Sequence, residues 1–173
     1  MVSANTIHEG TVTFGGIDKN RFSGPLFKIP ITPHDQAPEQ TVRFWARAQS
    51  IGHRTEGGNE TAIDFGAPFQ DFLVDSGTTL TFLPPAVVAA IKAQIGGNPG
   101  SNGDFSINCS WIDNPPDGGL NFHFAGGSIF MPYRKIVLDL RQLGPGQDPG
   151  CFLGIAEASG AAGKQLPVMG RKS

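Results

Sequence analysis

The sequence predicts a mostly-β fold of short strands and tight turns, with one or two short helices. Three observations carry that expectation. The 173 residues include 24 glycines and 14 prolines. Both residue types weaken helix interiors and suit many short strands joined by turns. Together they still fall under the roughly 25–30% that marks low-complexity chains. The aromatic content is dominated by 13 phenylalanines, against 1 tyrosine and 2 tryptophans, as a β-core favours. Only one stretch, residues 85–95 (PAVVAAIKAQI), has helix-forming composition, with proline at its start and Gly96-Gly97 just after it.

The elements follow in order. Residues 10–16 (GTVTFGG) read as a short strand entering a glycine turn, and 18–23 as a polar loop. Residues 26–31 (LFKIPI) are β-rich. Pro30 cannot donate to a ladder, which places this segment at an edge. Residues 41–48 (TVRFWARA) roughly alternate, as a half-buried strand should. Residues 54–60 form a polar hairpin tip, and 69–74 form a strand, apolar at its end, that runs into Asp75-Ser76-Gly77. After the helix at 85–95, residues 98–103 are loop. Residues 105–109, 120–124, 128–131 and 136–140 are further short strands; 143–150 is a Gly/Pro loop, and 151–155 is apolar again. There is no tandem repeat and no break between two domains, so residues 1–173 read as a single domain.

Charge excludes one large class. With 13 Lys+Arg against 15 Asp+Glu the formal net charge is −2, whereas nucleic-acid binders carry a clear basic excess. No window approaches the roughly 18 consecutive apolar residues of a membrane span. The first ten residues have neither a basic nor an apolar region, so no signal peptide is visible. The only two cysteines, Cys109 and Cys151, are too far apart for a CxxC redox or zinc motif. They are either one disulfide, closing a loop and stabilising by roughly 4 kcal/mol, or two buried reduced thiols. Two N-x-[ST] sequons are present, Asn59-Glu60-Thr61 and Asn108-Cys109-Ser110. Together these features point to a secreted protein whose export signal lies outside this chain.

The strongest local signal for chemistry is Phe72-Leu73-Val74-Asp75-Ser76-Gly77-Thr78-Thr79-Leu80. An apolar strand delivers a lone carboxylate into a turn of Ser, Gly and Thr. Apolar flanks desolvate a carboxylate and tend to raise its pKa. The hydroxyls of Ser76 and Thr78 can hydrogen-bond it or the neighbouring backbone, and Gly77 admits a close approach. The same residues also fit a plain Asx-turn at a strand end.

Other chemistries fail on inspection. In Gly160-Ala161-Ala162-Gly163-Lys164-Gln165, Ala158 stands where a P-loop needs its first glycine, and Gln165 replaces Ser/Thr. His8-Glu9 begins like a zinc helix, but Val12 replaces the second histidine. His34, His53 and His123 lack matching ligands nearby in sequence and read as structural or surface histidines. Ser76 lacks the G-x-S-x-G elbow. The phenylalanines are not interleaved with basic residues, as a base-stacking platform requires.

Asp75-Ser76-Gly77-Thr78-Thr79 resembles the D-[ST]-G-[ST] active-site motif of the pepsin-like aspartic peptidases. The resemblance continues in order along nearly the whole chain. Gly10-Thr11-Val12-Thr13-Phe14-Gly15-Gly16-Ile17-Asp18 resembles the family segment that runs through the junction between its two lobes. Arg21-Phe22-Ser23-Gly24-Pro25-Leu26, the Phe44-Trp45 pair and Leu83-Pro84-Pro85 at the helix start are similar to the segments expected there. So are Phe152-Leu153-Gly154-Ile155 after the second cysteine, and Leu166-Pro167-Val168-Met169-Gly170 as the strand threading beside the catalytic loop.

This resemblance implies a pepsin-like acid protease lobe, a closed, double-psi-type β barrel, corresponding to the second lobe. Residues 1–20 would be the inter-lobe segment, the N-terminal lobe would be absent and the C-terminal end clipped. Asp75 would be the second-lobe catalytic aspartate. Ser76 would interlock with its counterpart beneath the paired carboxylates, Thr78 would hydrogen-bond the outer carboxylate oxygen, and Gly77 would hold the loop. Thr79, Leu80 and Leu73 would line the substrate cleft, and Cys109 and Cys151 would match the disulfide of that lobe. The implied activity is aspartic-type endopeptidase, with no metal and no organic cofactor. Its two aspartates, about 3 Å apart, share one proton because like charges that close cannot both ionise, a behaviour for which this family is itself the standard example.

The sequence departs from the pattern in holding one D-[ST]-G only, and no flap tyrosine, since Tyr133 lies in the wrong segment. The chain therefore supplies one aspartate of two. The alternatives are a homodimeric half-enzyme, or a catalytically inactive fragment or pseudo-peptidase that binds peptides. The partners implied are a peptide or protein substrate and a first lobe or second copy. The compartment implied is secreted or vacuolar.

Overall fold

The computed structural model describes residues 14–21, 24–32, 44–55, 57–75, 77–96, 98–99, 104–140, 150–158 and 168–169. The expected strand at residues 10–16 lies mostly outside these residues, as do the start of the expected strand at 41–48, Ser76, His8, His34, residues 100–103 and 143–149, and the Lys164 segment.

Among the described residues, eleven strands form one sheet, with one α-helix and three short 3-10 helices. In chain order they are β1 (Trp45–Arg54), β2 (Glu60–Ile63), β3 (Gln70–Val74), β4 (Thr81–Leu83), β5 (Asn98–Pro99), β6 (Asp104–Ile107), β7 (Gly119–Phe124), β8 (Gly127–Pro132), β9 (Val137–Asp139), β10 (Cys151–Glu157) and β11 (Val168–Met169). The helix α1 (Pro85–Ile95) falls between β4 and β5. The sheet runs β5-β6-β10-β4-β11-β3-β1-β7-β8, with β2 added to β1 and β9 to β10.

The long strand β1 organises one half. It pairs antiparallel with β3 through Trp45↔Leu73 and Ala46↔Phe72, and with β7 through Ile51↔Phe122 and His53↔Leu120. A bulge between Ala48 and Ser50 shifts its register along β7 and bends the strand locally. The β segment expected at residues 26–31 is not a strand; among the described residues its ladder contact is the single bridge Ile31↔Ala46, so the edge strand expected from Pro30 is not formed.

The residues around Asp75 depend on an unusual crossing. The strands β3 and β4 are consecutive, yet they do not pair. The strand β11 lies between them, parallel to β3 (Val168↔Leu73, Met169↔Val74) and antiparallel to β4 (Val168↔Phe82). On its far side β4 runs parallel to β10 (Ile155↔Thr81). The link from β3 to β4 must therefore pass over the end of β11, and this link is the 75–80 loop. It is the ψ-type arrangement that the family resemblance implies.

The helix matches its expected bounds. Pro84 caps it in an extended conformation, and Val87 N–H and Val88 N–H donate to Pro84 O at 2.9 and 3.1 Å. It ends at Gly96, whose φ of 72° only glycine adopts without strain. Its buried face is Val87, Val88 and Ile91. These join Leu83, Phe105, Leu153 and Ile155 in the same core cluster. Phe72 sits deep in that core, edge-on to Phe122 with ring centroids 5.8 Å apart.

Several boundaries differ from the sequence expectation. The strands β2, β4 and β5 were not anticipated: they are only two to four residues long and show too few residues for a period-2 pattern. The strand expected at 105–109 stops at Ile107, and Cys109–Ile112 turn into a 3-10 helix whose first N–H groups need a cap. Asn108 Oδ1 supplies it, accepting from Ser110 N–H at 2.9 Å. Residues 14–16 are bends rather than strand. The two cysteines are joined, with Cα atoms 5.1 Å apart and a sequence separation of 42, so the reduced-thiol alternative is set aside. The bond ties the 3-10 turn to the start of β10.

Two stability outcomes follow. Replacing both cysteines by serine lowers unfolding free energy by about 4 kcal/mol, within a usual range of roughly 2–5 kcal/mol, read as a lower denaturant midpoint. Phe72→Ala lowers it by about 3–5 kcal/mol through the cavity left in the core, read in the same assay.

Candidate active site

Asp75 is the first residue after β3, and the backbone fixes where it stands. Val74 N–H donates to Phe44 O at 2.9 Å, and Asp75 N–H donates to Met169 O at 3.1 Å. The chain is thus held from both sides, by the segment leading into β1 and by β11, at the point where it leaves the sheet.

Both carboxylate oxygens of Asp75 are occupied. Gly77 N–H donates to Oδ1 at 2.8 Å, and Thr78 Oγ1 donates to Oδ2 at 2.6 Å. The first contact is an Asx-turn, as the plain reading of the sequence allowed. The second goes beyond such a turn, because it places a hydroxyl on the other oxygen. Ser76 lies outside the described residues. The Thr78 hydrogen bond, then the Gly77 N–H, hold the Asp75 carboxyl below its ordinary value.

This corrects the expectation that apolar flanks raise it. The flanking strand residues turn away: Phe72 packs into the core, while Val74 is 48% exposed. The carboxylate itself stays open to solvent, so desolvation is the smallest influence on it. Hydrogen bonds to the charged form therefore win.

Leu73 is half-buried on the face opposite Phe72 and pairs with Trp45 and Val168. Thr79 is exposed and Leu80 half-buried in the bend leading to β4. Beside the loop, Ile29, Pro30, Ile31, Phe44, Trp45, Ala46 and Val74 line an open apolar cavity of about 300 Å³. Its rim is unusually bare for apolar residues, with Phe44 70% exposed.

The sequence reading missed a brace on this strand. Arg47 donates through Nε to Asp71 Oδ1 at 2.7 Å and through Nη2 to Oδ2 at 2.9 Å, and its guanidinium lies 3.8 Å from the Phe69 ring centroid. The fork locks β3 to β1 in the register Arg47↔Asp71. Opposite charges in two neighbouring strands were visible in the sequence, but their pairing depends on a register that was not. The two described histidines each meet a polar side chain on another strand or turn. His53 Nδ1 lies 2.8 Å from the buried Tyr133 hydroxyl. His123 Nε2 meets Glu60, which also accepts from Asn121 Nδ2 at 2.8 Å. Among the described residues no group of three or more His, Cys, Asp or Glu side chains is gathered to hold a metal ion.

The fold has a ψ-type crossing that presents one carboxylate with hydrogen-bond donors on both oxygens, and comparison with known proteins places the chain in a family. The chain belongs to the eukaryotic aspartyl protease family, whose model matches residues 1–172. Aspartic proteinase 3 of Saccharomyces cerevisiae is 30% identical over 162 residues, covering 91% of this chain and 26% of that protein. Rhizopuspepsin-1 of Rhizopus niveus is 30% identical over 161 residues, covering 93% and 34%. Vacuolar protease A of Aspergillus fumigatus is 31% identical over 125 residues, covering 70% and 27%. The fold matches that of the aspartic proteinase from Irpex lacteus with a TM-score of 0.62 at 21% identity, covering 91% of this chain and 44% of that one. The chain thus spans about a quarter to a third of these curated relatives.

Asp75 titration has a definite sign. The unfolded carboxyl has the higher pKa, about 3.9, so the unfolded chain binds the proton first as pH falls. The contribution of Asp75 to stability is fully present above that value and is lost as pH falls through the lower folded value. Thr78→Val removes the largest cause of the shift. The Asp75 carboxyl signal in a ¹³C NMR titration then moves up towards the ordinary carboxylate range; an unmoved midpoint contradicts the assignment.

Proposed function

We propose that this chain supplies one of the two catalytic aspartates of an aspartic endopeptidase, and that Asp75 is that residue. Family membership supports the reaction class. The observation that carries the residue assignment is the pair of donors on Asp75, Gly77 N–H on one oxygen and Thr78 Oγ1 on the other, at the crossing over β11. The substrate is a peptide or protein.

The chemistry needs a second carboxylate. The sequence contains a single D-[ST]-G triplet, so the partner aspartate comes from a first lobe that these 173 residues do not include. Two carboxylates about 3 Å apart hold one proton between them, since both cannot ionise at that distance. The ionised member takes a proton from a water molecule lying between them. The protonated member gives its proton to the scissile carbonyl oxygen, and the water oxygen bonds to the carbonyl carbon. The resulting tetrahedral species then collapses, with the leaving amine taking up a proton. No side chain bonds to the substrate.

In this scheme Thr78 and Gly77 keep Asp75 in one orientation, so its oxygens face the partner rather than rotating in solvent. Ser76 interlocks with the equivalent hydroxyl of the first lobe. Thr79, Leu80 and Leu73 form this chain's share of the cleft wall. The bare apolar surface at Ile31, Phe44 and Val74, immediately before Asp75, supports docking of a companion at this end of the sheet.

The test is proteolysis of an unfolded protein at acid pH. Chain joined to its first lobe cleaves, and a pepstatin-type inhibitor stops it. Asp75→Asn in that enzyme lowers kcat by roughly 10³-fold or more. The 173-residue chain alone sediments as a monomer at micromolar concentration and shows no turnover. Concentration-dependent activity of a dimer of this chain would instead favour the homodimeric half-enzyme.

A further inference from the structure

We propose that Asn59, at the tip of the β1–β2 hairpin, is an N-glycosylation site, and that the second sequon at Asn108 is closed. The co-reactant is an oligosaccharide carried on a lipid diphosphate. Asn59 Nδ2 bonds to C1 of the first sugar and the C1–O bond to the diphosphate breaks. The lipid diphosphate leaves with the electron pair, and Nδ2 gives up one proton. Nothing is oxidised or reduced.

A sequon alone is weak, and three structural observations raise this one. The first is presentation. Asn59 and Thr61 are both exposed. Asn59 takes part in its turn through its backbone, with its carbonyl accepting from Thr55 N–H at 2.9 Å. Its side-chain amide makes no hydrogen bond among the described residues. The middle residue, Glu60, folds the other way: its carboxylate is held by Asn121 and His123. Gly52 makes this possible, since a side chain there would collide with the Glu60 carboxylate. The acidic group is thus withdrawn from the acceptor amide, and the two residues read by the transferase stay outside.

The second is compartment. The Cys109–Cys151 disulfide is the mark of an oxidising environment, which is where N-glycosylation acceptors are used.

The third is position. The ten residues of β1 separate the two ends of the sheet. Trp45, at one end, pairs with Leu73 two residues before Asp75, and Arg54, at the other, pairs with Glu60 next to Asn59. At a rise of roughly 3.3 Å per residue the separation is about 30 Å. A glycan at Asn59 therefore leaves the Asp75 end free for substrate or for a companion lobe.

Asn108 and Ser110 are exposed as well, so the contrast lies in how the side chain of Asn108 is engaged. Its side-chain oxygen caps the 3-10 turn by accepting from Ser110 N–H. The residue between Asn108 and Ser110 is Cys109, tied to Cys151. Forming the disulfide folds the second sequon into the cap.

The experiment translates the full chain behind a cleavable secretory leader in the presence of microsomes, with leader cleavage confirming translocation. One endoglycosidase-sensitive upward shift in gel mobility is expected. Asn59→Gln and Thr61→Ala abolish it, Thr61→Ser and Asn108→Gln retain it. Enzymatic deglycosylation in heavy-oxygen water marks the Asn59 peptide and leaves the Asn108 peptide unmarked. The readout does not require the variants to fold. Translocated chain with no shift, or a shift lost only in Asn108→Gln, overturns the proposal.

Discussion

The insertion of β11 between β3 and β4 is the constraint on which the rest of this structure depends. Two residues, Val168 and Met169, hold apart two strands that would otherwise close a hairpin. A hairpin would bury its turn in local hydrogen bonds. The crossing instead forces a six-residue link over the end of a third strand. Met169 O takes the Asp75 N–H at the point of departure. Backbone donors then have no ladder to satisfy them, and the Asp75 carboxylate becomes the acceptor for Gly77 N–H. The core follows from the same crossing. Phe72 anchors β3 from below and Leu83 anchors β4, both fully buried, while α1 leaves β4 directly to cover this side of the sheet. The Arg47–Asp71 fork fixes the other side of β3.

Electrostatically, Asp75 stands as a single carboxylate with two donors on it. An isolated carboxylate with a hydroxyl and an N–H on it is stabilised in its charged form. Water activation needs more than that. It needs a neighbour close enough that one of the two groups stays protonated. The surface next to Asp75 has apolar residues at the rim of a cavity and the charged group at its edge. The end of the sheet near Asn59 is different, with a polar turn and an exposed strand. The two ends of β1 therefore differ in character, one apolar beside the Asp75 carboxylate and the other a polar turn.

The parts of the fold that were legible in the sequence are those carried by local chemistry. The helix bounds could be read because Pro85 and Gly96 act on the backbone at each end. The strand into Asp75 could be read because an apolar run stopped at Asp-Ser-Gly. Both are properties of contiguous residues. The short strands β2, β4 and β5 were not legible, because pairing with distant partners, not their own pattern, makes them strands. The Arg47–Asp71 pair and the Glu60–Asn121–His123 group were hidden for the same reason: each needs a register between strands far apart in the chain. The direction of the Asp75 shift was misread because apolar neighbours in sequence do not imply a desolvated carboxylate in space. The pairing of Cys109 with Cys151 stood open on spacing alone, and geometry settled it.

The most direct test of the central claim is the titration of Asp75 in two states, followed by ¹³C NMR of its carboxyl carbon. In the 173-residue chain alone, the account predicts a single step below the ordinary carboxylate range. In the chain assembled with its first lobe, it predicts two coupled steps belonging to the pair, the second raised well above the first. A single, unchanged step in the assembled enzyme would contradict the assignment of Asp75 to the catalytic dyad.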